Sequence, residues 1–212
     1  MSVSDTAAAV SIIDYGVGNI RAFAQLYRRL NVAVEVADTP QAVAAAQRLI
    51  LPGVGAFDWA MSRLDASGLR ASVDAAVMER KVPVFGVCVG MQMMAKRSDE
   101  GSLPGLGWID ADVRHFSAIG ANDRQPLPHM GWNDVVPAGG DSALFSGITD
   151  PRYYFLHSYC VVAHDQADVL ATAHYGADFA AALHRDNIYA TQFHPEKSHE
   201  WGRALLHNFA RI

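Results

Sequence analysis

The sequence predicts an α/β fold: a mixed, mainly parallel open sheet flanked by helices, with antiparallel strands in the C-terminal half. Three observations predict it. Through the first half, apolar runs of strand length alternate with segments whose apolar residues recur at helical spacing, the pattern of a parallel sheet covered on both faces. From Leu106 to Gln192 the pattern changes to short strands separated by turn signals such as PAGG and HYGAD. The chain has 212 residues, 50 % of them apolar, enough for one domain with a substantial core, and it shows no repeat, linker or low-complexity segment.

The elements follow in order. Residues 1–212 read as one domain, with 1–8 a loose N-terminal tail. Residues 10–13 (VSII) are a first strand that ends at the turn DYGVGN. A helix follows, because Ile20, Phe23, Ala24, Tyr27 and Leu30 fall at i, i+3, i+4, i+7 and i+10 and form one apolar stripe. Residues 32–36 are the second strand, Pro40 opens a short helix, and residues 49–51 are a third strand ending in Pro52-Gly53-Val54-Gly55. Helical patterning fills residues 57–80. Residues 83–87 (PVFGV) form a buried strand, and 91–94 begin the next helix. In the second half, residues 153–162, 169–174, 179–184 and 188–193 read as strands. The final helix starts at about Ser198, a residue type favoured at N-caps, and its stripe is Trp201, Ala204, Leu205 and Phe209.

Bulk properties exclude several classes. The net charge is −5, the wrong sign for a nucleic-acid footprint. The first ten residues, MSVSDTAAAV, lack the basic region and long apolar stretch of a secretory signal, and no run approaches the ~18 apolar residues of a membrane span. Two cysteines, Cys88 and Cys160, suit a reducing cytoplasm better than a disulfide scaffold. Neither HExxH nor CxxC occurs, so no metal site is expected, and no cofactor.

The chemistry centres on Gly86-Val87-Cys88-Val89-Gly90. A cysteine at the join of a buried strand and a helix is the sulfur version of a nucleophile elbow, a sharp turn that exposes one side chain. Flanking glycines let neighbouring backbone approach closely there and permit unusual dihedrals. A thiol attacks as its thiolate, which the following helix N-terminus favours and a nearby base completes. QFHPEKS supplies the candidate. Pro195 forces His194 into an extended conformation, and residues i and i+2 of an extended segment share a face, so Glu196 can orient the His194 imidazole. Cys88, His194 and Glu196 thus compose a Cys-His-Glu triad in which His194 also carries a proton to a leaving amine. The oxyanion needs two donors. One is the N–H of Val89; the other is expected from the turn Gly53-Val54-Gly55 at the C-terminal end of a parallel strand, the edge where active sites of open sheets gather.

GVCVGMQ together with QFHPE resembles the triad-type (class I) glutamine amidotransferases. DYGVGNIR, LPGVGAF, PHMGWN and YYFLHSY, with QFHPEKS, narrow the likeness to the glutaminase-subunit family of imidazole glycerol phosphate synthase. The resemblance spans nearly the whole chain after the first ten residues. It implies a cytoplasmic subunit that hydrolyses L-glutamine to glutamate and ammonia through a glutamyl thioester. The ammonia would pass through a channel to a (β/α)8-barrel cyclase in a heterodimer. That partner makes imidazole glycerol phosphate and an aminoimidazole carboxamide ribotide in histidine biosynthesis. The resemblance further implies that Gln92 and Glu100 hold the glutamine and that His157, Ser158 and Tyr159 contact its amino-acid head. The expected partner surface lies near PHMGWN and QFHPEKS, with Trp132 as aromatic anchor, Asn133 bonding across the seam and Lys197 pairing with an acidic group.

The sequence departs from the family in small ways. Val89 replaces a common leucine, Met93 and Met94 replace aliphatics, and Ala190-Thr191 stand where a glycine is common. Cys160, outside the motif positions, reads as a small core hydrophobe. Three other readings stay open at this level: a paralogue feeding ammonia to a related barrel in surface-polysaccharide synthesis, a free-standing cysteine-elbow hydrolase, and a catalytically silent regulatory subunit. The free-standing hydrolase would usually place its acid before the histidine, whereas Glu196 follows His194. A silent subunit has no chemical need of all three triad residues.

Overall fold

The computed structural model describes residues 9–121, 125–139 and 142–212; the expected tail at 1–8 lies outside them. The N-terminal half alternates strand and helix as expected: β1 (Val10–Ile13), α1 (Ile20–Arg29), β2 (Val34–Ala37), α2 (Pro40–Ala45), β3 (Leu49–Gly53), α3 (Phe57–Ala66), α4 (Arg70–Asp74), β4 (Val84–Cys88) and α5 (Val89–Met93). The strands β5 (Arg97–Ser98), β6 (Ala111–His115), β7 (His129–Asp134), β8 (Val136–Pro137), β9 (Arg152–His157), β10 (Tyr159–Ala163), β11 (Val169–His174), β12 (Asp178–Arg185) and β13 (Ile188–Thr191) follow, and α6 (His199–Phe209) closes the chain.

Among the described residues the main sheet has the order β2-β1-β3-β4-β13-β12-β11-β8. The five strands from β2 to β13 pair in parallel; β12, β11 and β8 continue antiparallel. β1, β3, β4 and β13 are buried along their whole lengths, which is why they read as unbroken apolar runs. The α1 stripe packs on them through Phe23, Ala24 and Tyr27; a large side chain such as Phe23 contributes about 1.5–3 kcal/mol of burial. Two smaller sheets, β10-β6-β5 and β7-β9, stand against this one.

Several expected boundaries differ, and one agrees for a different reason than expected. The second strand starts at Val34 rather than Val32, because the Val32 N–H still bonds the Tyr27 carbonyl at the end of α1. The helical run 57–80 breaks at Ser67-Gly68-Leu69, where Gly68 takes φ +73°, and its last turn, Ala75–Glu79, winds as a π-helix. The expected strand 153–162 is two strands of different sheets, split at Ser158: β9 pairs with β7 and β10 with β6. Ser198 does stand at the N-cap of α6, but its hydroxyl caps nothing; it donates to the His194 carbonyl at 2.6 Å and accepts from the Tyr154 N–H at 3.0 Å.

Candidate active site

β4 delivers Cys88 to the C-terminal edge of the parallel strands, and the chain turns there directly into α5. The turn is concentrated in Cys88 itself, at φ +56° and ψ −113°. The unusual dihedral therefore belongs to the cysteine; the flanking glycines serve close approach. A Cβ on Gly90 would stand 1.9 Å from the Leu51 carbonyl oxygen, and one on Gly86 2.6 Å from Met94 Cε. β3 runs alongside in register, with Gly53 opposite Cys88. A Cβ on Gly53 would lie 2.2 Å from the Gly90 nitrogen and 2.7 Å from the Val89 carbonyl carbon, so the end of β3 is pressed against the start of α5.

His194 follows β13. Its N–H bonds the Tyr154 carbonyl of β9 at 2.9 Å, and its extended backbone brings Glu196 under the ring as expected. His194 Nδ1 lies 2.9 Å from Glu196 Oε1, which leaves Nε2 for the Cys88 sulfur. Burial works against charge on His194, but hydrogen bonds to Cys88 and Glu196 and the field of both outweigh it and push its pKa up to about 10. Burial likewise opposes charge on Glu196, yet the His194 and Asn19 hydrogen bonds hold its carboxyl below the usual carboxylate range. The arrangement is an imidazole held between a sulfur and a carboxylate, both of which favour its charged form.

Residues without a predicted role complete the site. Asn19 Nδ2 donates to Glu196 Oε1 at 2.9 Å. Asn19 occupies the N-cap of α1 without capping it, a hint that could have exposed its second duty. Gln192 Nε2 points at Cys88 Sγ from 3.8 Å, and its Oε1 accepts from Gln92 Nε2 at 3.0 Å. Gln92, expected to grip substrate, is buried one layer down and also donates to the Tyr159 carbonyl at 3.2 Å.

A cavity of about 530 Å³ opens over Cys88 and His194, with Val54, Gly55 and Val89 on one side and His157, Ser158 and Tyr159 on the other. Glu100 and Lys197 stand in its wall; Gln92 does not. Glu100 accepts from the Phe57 N–H at the start of α3 at 2.8 Å. His157 is buried. Its Nδ1 donates to the Tyr159 carbonyl at 2.8 Å, so its Nε2 is an acceptor and receives the His129 Nδ1–H at 3.0 Å. His129 Nε2 in turn accepts from Asn133 Nδ2 at 3.3 Å. Burial pushes both imidazoles down, His157 to about 3 and His129 to about 4, so both are neutral links of a chain that ends on the cavity wall.

Next to the mouth, β7 and β9 turn Met130 (65 % exposed), Trp132 (37 %) and Leu156 (38 %) outward. Trp132 stacks on His199 with ring centroids 5.2 Å apart, and Lys197 Nζ lies 5.7 Å above the Tyr154 ring. Neighbours in a strand face opposite ways, and with Trp132 outward the Asn133 amide is committed within the chain, to His129 and the His174 carbonyl. Among the described residues no cluster of three or more metal-ligating side chains occurs, and no helix is long and apolar enough to cross a membrane.

Residues 11–212 match the protein family described as "Glutamine amidotransferase class-I". The chain is 52 % identical over 204 residues to the "Imidazole glycerol phosphate synthase subunit HisH" of Bdellovibrio bacteriovorus, covering 96 % of this chain and 100 % of that protein. It is 45 % identical to the HisH subunit of Leptospira interrogans (96 % and 100 % covered) and 45 % to "HisH 2" of Pseudomonas aeruginosa (96 % and 99 %). Its fold is similar to a crystal structure titled "glutamine amidotransferase", with TM-score 0.73 at 20 % identity over 96 % of this chain and 99 % of that one. It is also similar to "PurLQS from Thermotoga maritima", with TM-score 0.67 at 17 % identity (95 % and 97 % covered).

Proposed function

The chain belongs to the class-I glutamine amidotransferases, in the family of imidazole glycerol phosphate synthase HisH subunits, and from that premise we propose that Cys88, His194 and Glu196 perform its chemistry. It is the glutamine amidotransferase that supplies ammonia in histidine biosynthesis, working with a cyclase subunit. The observation that carries the residue assignment is the 2.9 Å His194–Glu196 contact beneath a cysteine held in an elbow.

The thiolate of Cys88 attacks the side-chain carbonyl carbon of glutamine, and the C=O electron pair moves onto oxygen. The Val89 N–H and a donor from Gly53-Val54-Gly55 hold that oxyanion. His194 gives its proton to the amide nitrogen, the C–N bond breaks, and ammonia leaves a γ-glutamyl thioester on Cys88. Water then attacks the thioester with His194 as base; the C–S bond breaks, glutamate departs, and the imidazolium–thiolate pair returns. Glu196 fixes the ring and its charge, and Asn19 fixes Glu196. Gln192 donates to the sulfur. Glu100, His157, Ser158 and Tyr159 form the pocket for the amino-acid end, and Gln92 supports it from below through the Tyr159 carbonyl.

The partner surface is the outer face of β7 and β9 beside the mouth, with Trp132 and Lys197 as anchors and a (β/α)8-barrel as the occupant. Ammonia released above Cys88 leaves toward that face. Glutaminase activity is low in the free subunit and rises when the cyclase is loaded, with the glycine turn as the control point. Cys88→Ala tests the assignment: it abolishes glutamine hydrolysis while the assembled synthase still makes product from added ammonia. Retained glutaminase activity in that variant would refute it.

A further inference from the structure

Tyr15, in the loop between β1 and α1, has no role in the chemistry above. It is 1 % exposed, and its hydroxyl donates to the Pro52 carbonyl at 2.6 Å, with Met93 Sδ 3.4 Å away. The hydroxyls of two other buried tyrosines, Tyr27 and Tyr153, have no hydrogen-bond partner among the described residues. The acceptor is also distinctive. β1 pairs with β3 at Ser11↔Leu49 and Ile12↔Ile50, so Pro52 lies beyond that ladder and Tyr15 supplies the bond the neighbouring strand no longer offers. Gly18 of the same loop sits so close that a Cβ there would stand 2.7 Å from Pro52 Cβ. The Pro52 carbonyl and the Gly53 N–H share one rigid peptide plane. Holding that plane fixes the point from which the next peptide, Gly53–Val54, begins, directly against Val89 and Gly90.

We propose that Tyr15 is a positioning residue for the oxyanion turn: by holding the Pro52 carbonyl it sets where the Gly53–Val54 peptide presents its donor to the oxyanion. This deepens the function above and rests on its assignment of the second donor to residues 53–55. The loop reaches the other half of the site through Asn19, 2.9 Å from Glu196, so one short segment braces both the oxyanion side and the acid. The donor matters only when the carbonyl oxygen carries charge, so the hydroxyl affects the transition state and not glutamine binding.

The test uses Tyr15→Phe in the assembled synthase with the cyclase loaded. Glutamate release gives kcat and KM, and the rate at which iodoacetamide alkylates Cys88 reports the thiolate, since that displacement forms no oxyanion. The expected result is a kcat lowered ~5-fold or more, short of the 10²–10³ lost with a whole oxyanion donor, while KM and the alkylation rate stay within ~2-fold. Tyr27→Phe, which removes a buried hydroxyl away from the site, leaves all three unchanged. The proposal is overturned if Tyr15→Phe turns over at the wild-type rate, or if alkylation falls as far as kcat, which would place the effect on the thiol or on general packing. Failure of the underlying function is separate: it would appear as glutamine turnover persisting in Cys88→Ala.

Discussion

Mild acid should destabilise this protein through His157 before its carboxylates begin to titrate. Both ring nitrogens of His157 are committed, Nδ1 donating to the Tyr159 carbonyl and Nε2 accepting from His129, so a second proton can enter only by breaking a bond. Burial outweighs the Tyr159 bond and holds the pKa down at about 3, whereas an unfolded histidine titrates near 6.5. A base whose folded pKa lies below its unfolded value takes its proton on unfolding. Its contribution is therefore intact above about pH 6.5 and is lost as pH falls toward about 3. At pH 5 the unfolded side chain lies about 1.5 pH units below its pKa, and at ~1.36 kcal/mol per unit the loss is about 2 kcal/mol. His157→Gln keeps a similar volume and removes the titration. Denaturant unfolding followed by tryptophan fluorescence should show the gap between wild type and variant narrowing by about 2 kcal/mol from pH 7 to pH 5. Groups common to both proteins and remote from position 157 cancel in that difference; His129, bonded to His157, belongs to the pair under test. Parallel stability profiles across this window would refute the buried neutral pair.

Glu196→Gln should lower kcat less than Cys88→Ala does, and because it removes one of the groups that raise His194, the alkaline limb of kcat/KM should move to lower pH; an unmoved limb would argue against the pairing. Asn19→Ala breaks a partly buried charge-assisted hydrogen bond of a kind worth about 1.5–3 kcal/mol, so kcat should fall about tenfold or more with KM nearly constant, which steady-state kinetics would check. Trp132→Ala and Lys197→Ala should each weaken assembly with the cyclase by ~1 kcal/mol or more in a titration of the two subunits, while Asn133→Ala, altering a group committed within the chain, should act on stability first.

What could be read in the sequence was local. Apolar runs marked β1, β3, β4 and β13 because strands buried on both faces carry no alternation to misread. The elbow and HPE segments were legible because Pro195 and the glycines around Cys88 dictate backbone over a few residues. The partners of those residues were not. Asn19 meets Glu196 across 177 positions, Gln192 meets Cys88 across 104, and Tyr15 meets Pro52 across 37, and no short pattern records such meetings. The run 153–162 looked like one strand because its composition is uniformly β-favouring; only pairing with β7 on one side and β6 on the other divides it at Ser158. The opposite facing of Trp132 and Asn133 was in reach, since it follows from alternation.

The dihedrals of Cys88 set the molecule's two requirements against each other. An L-residue at φ +56° and ψ −113° is held there at a cost of about 1–3 kcal/mol, imposed by the rest of β4 and α5. Glycine would take that conformation freely, but it would also give up a buried side chain and its contacts with His194 and Gln192. The strain at position 88 is thus a backbone cost carried at the very residue whose sulfur the elbow aims at His194.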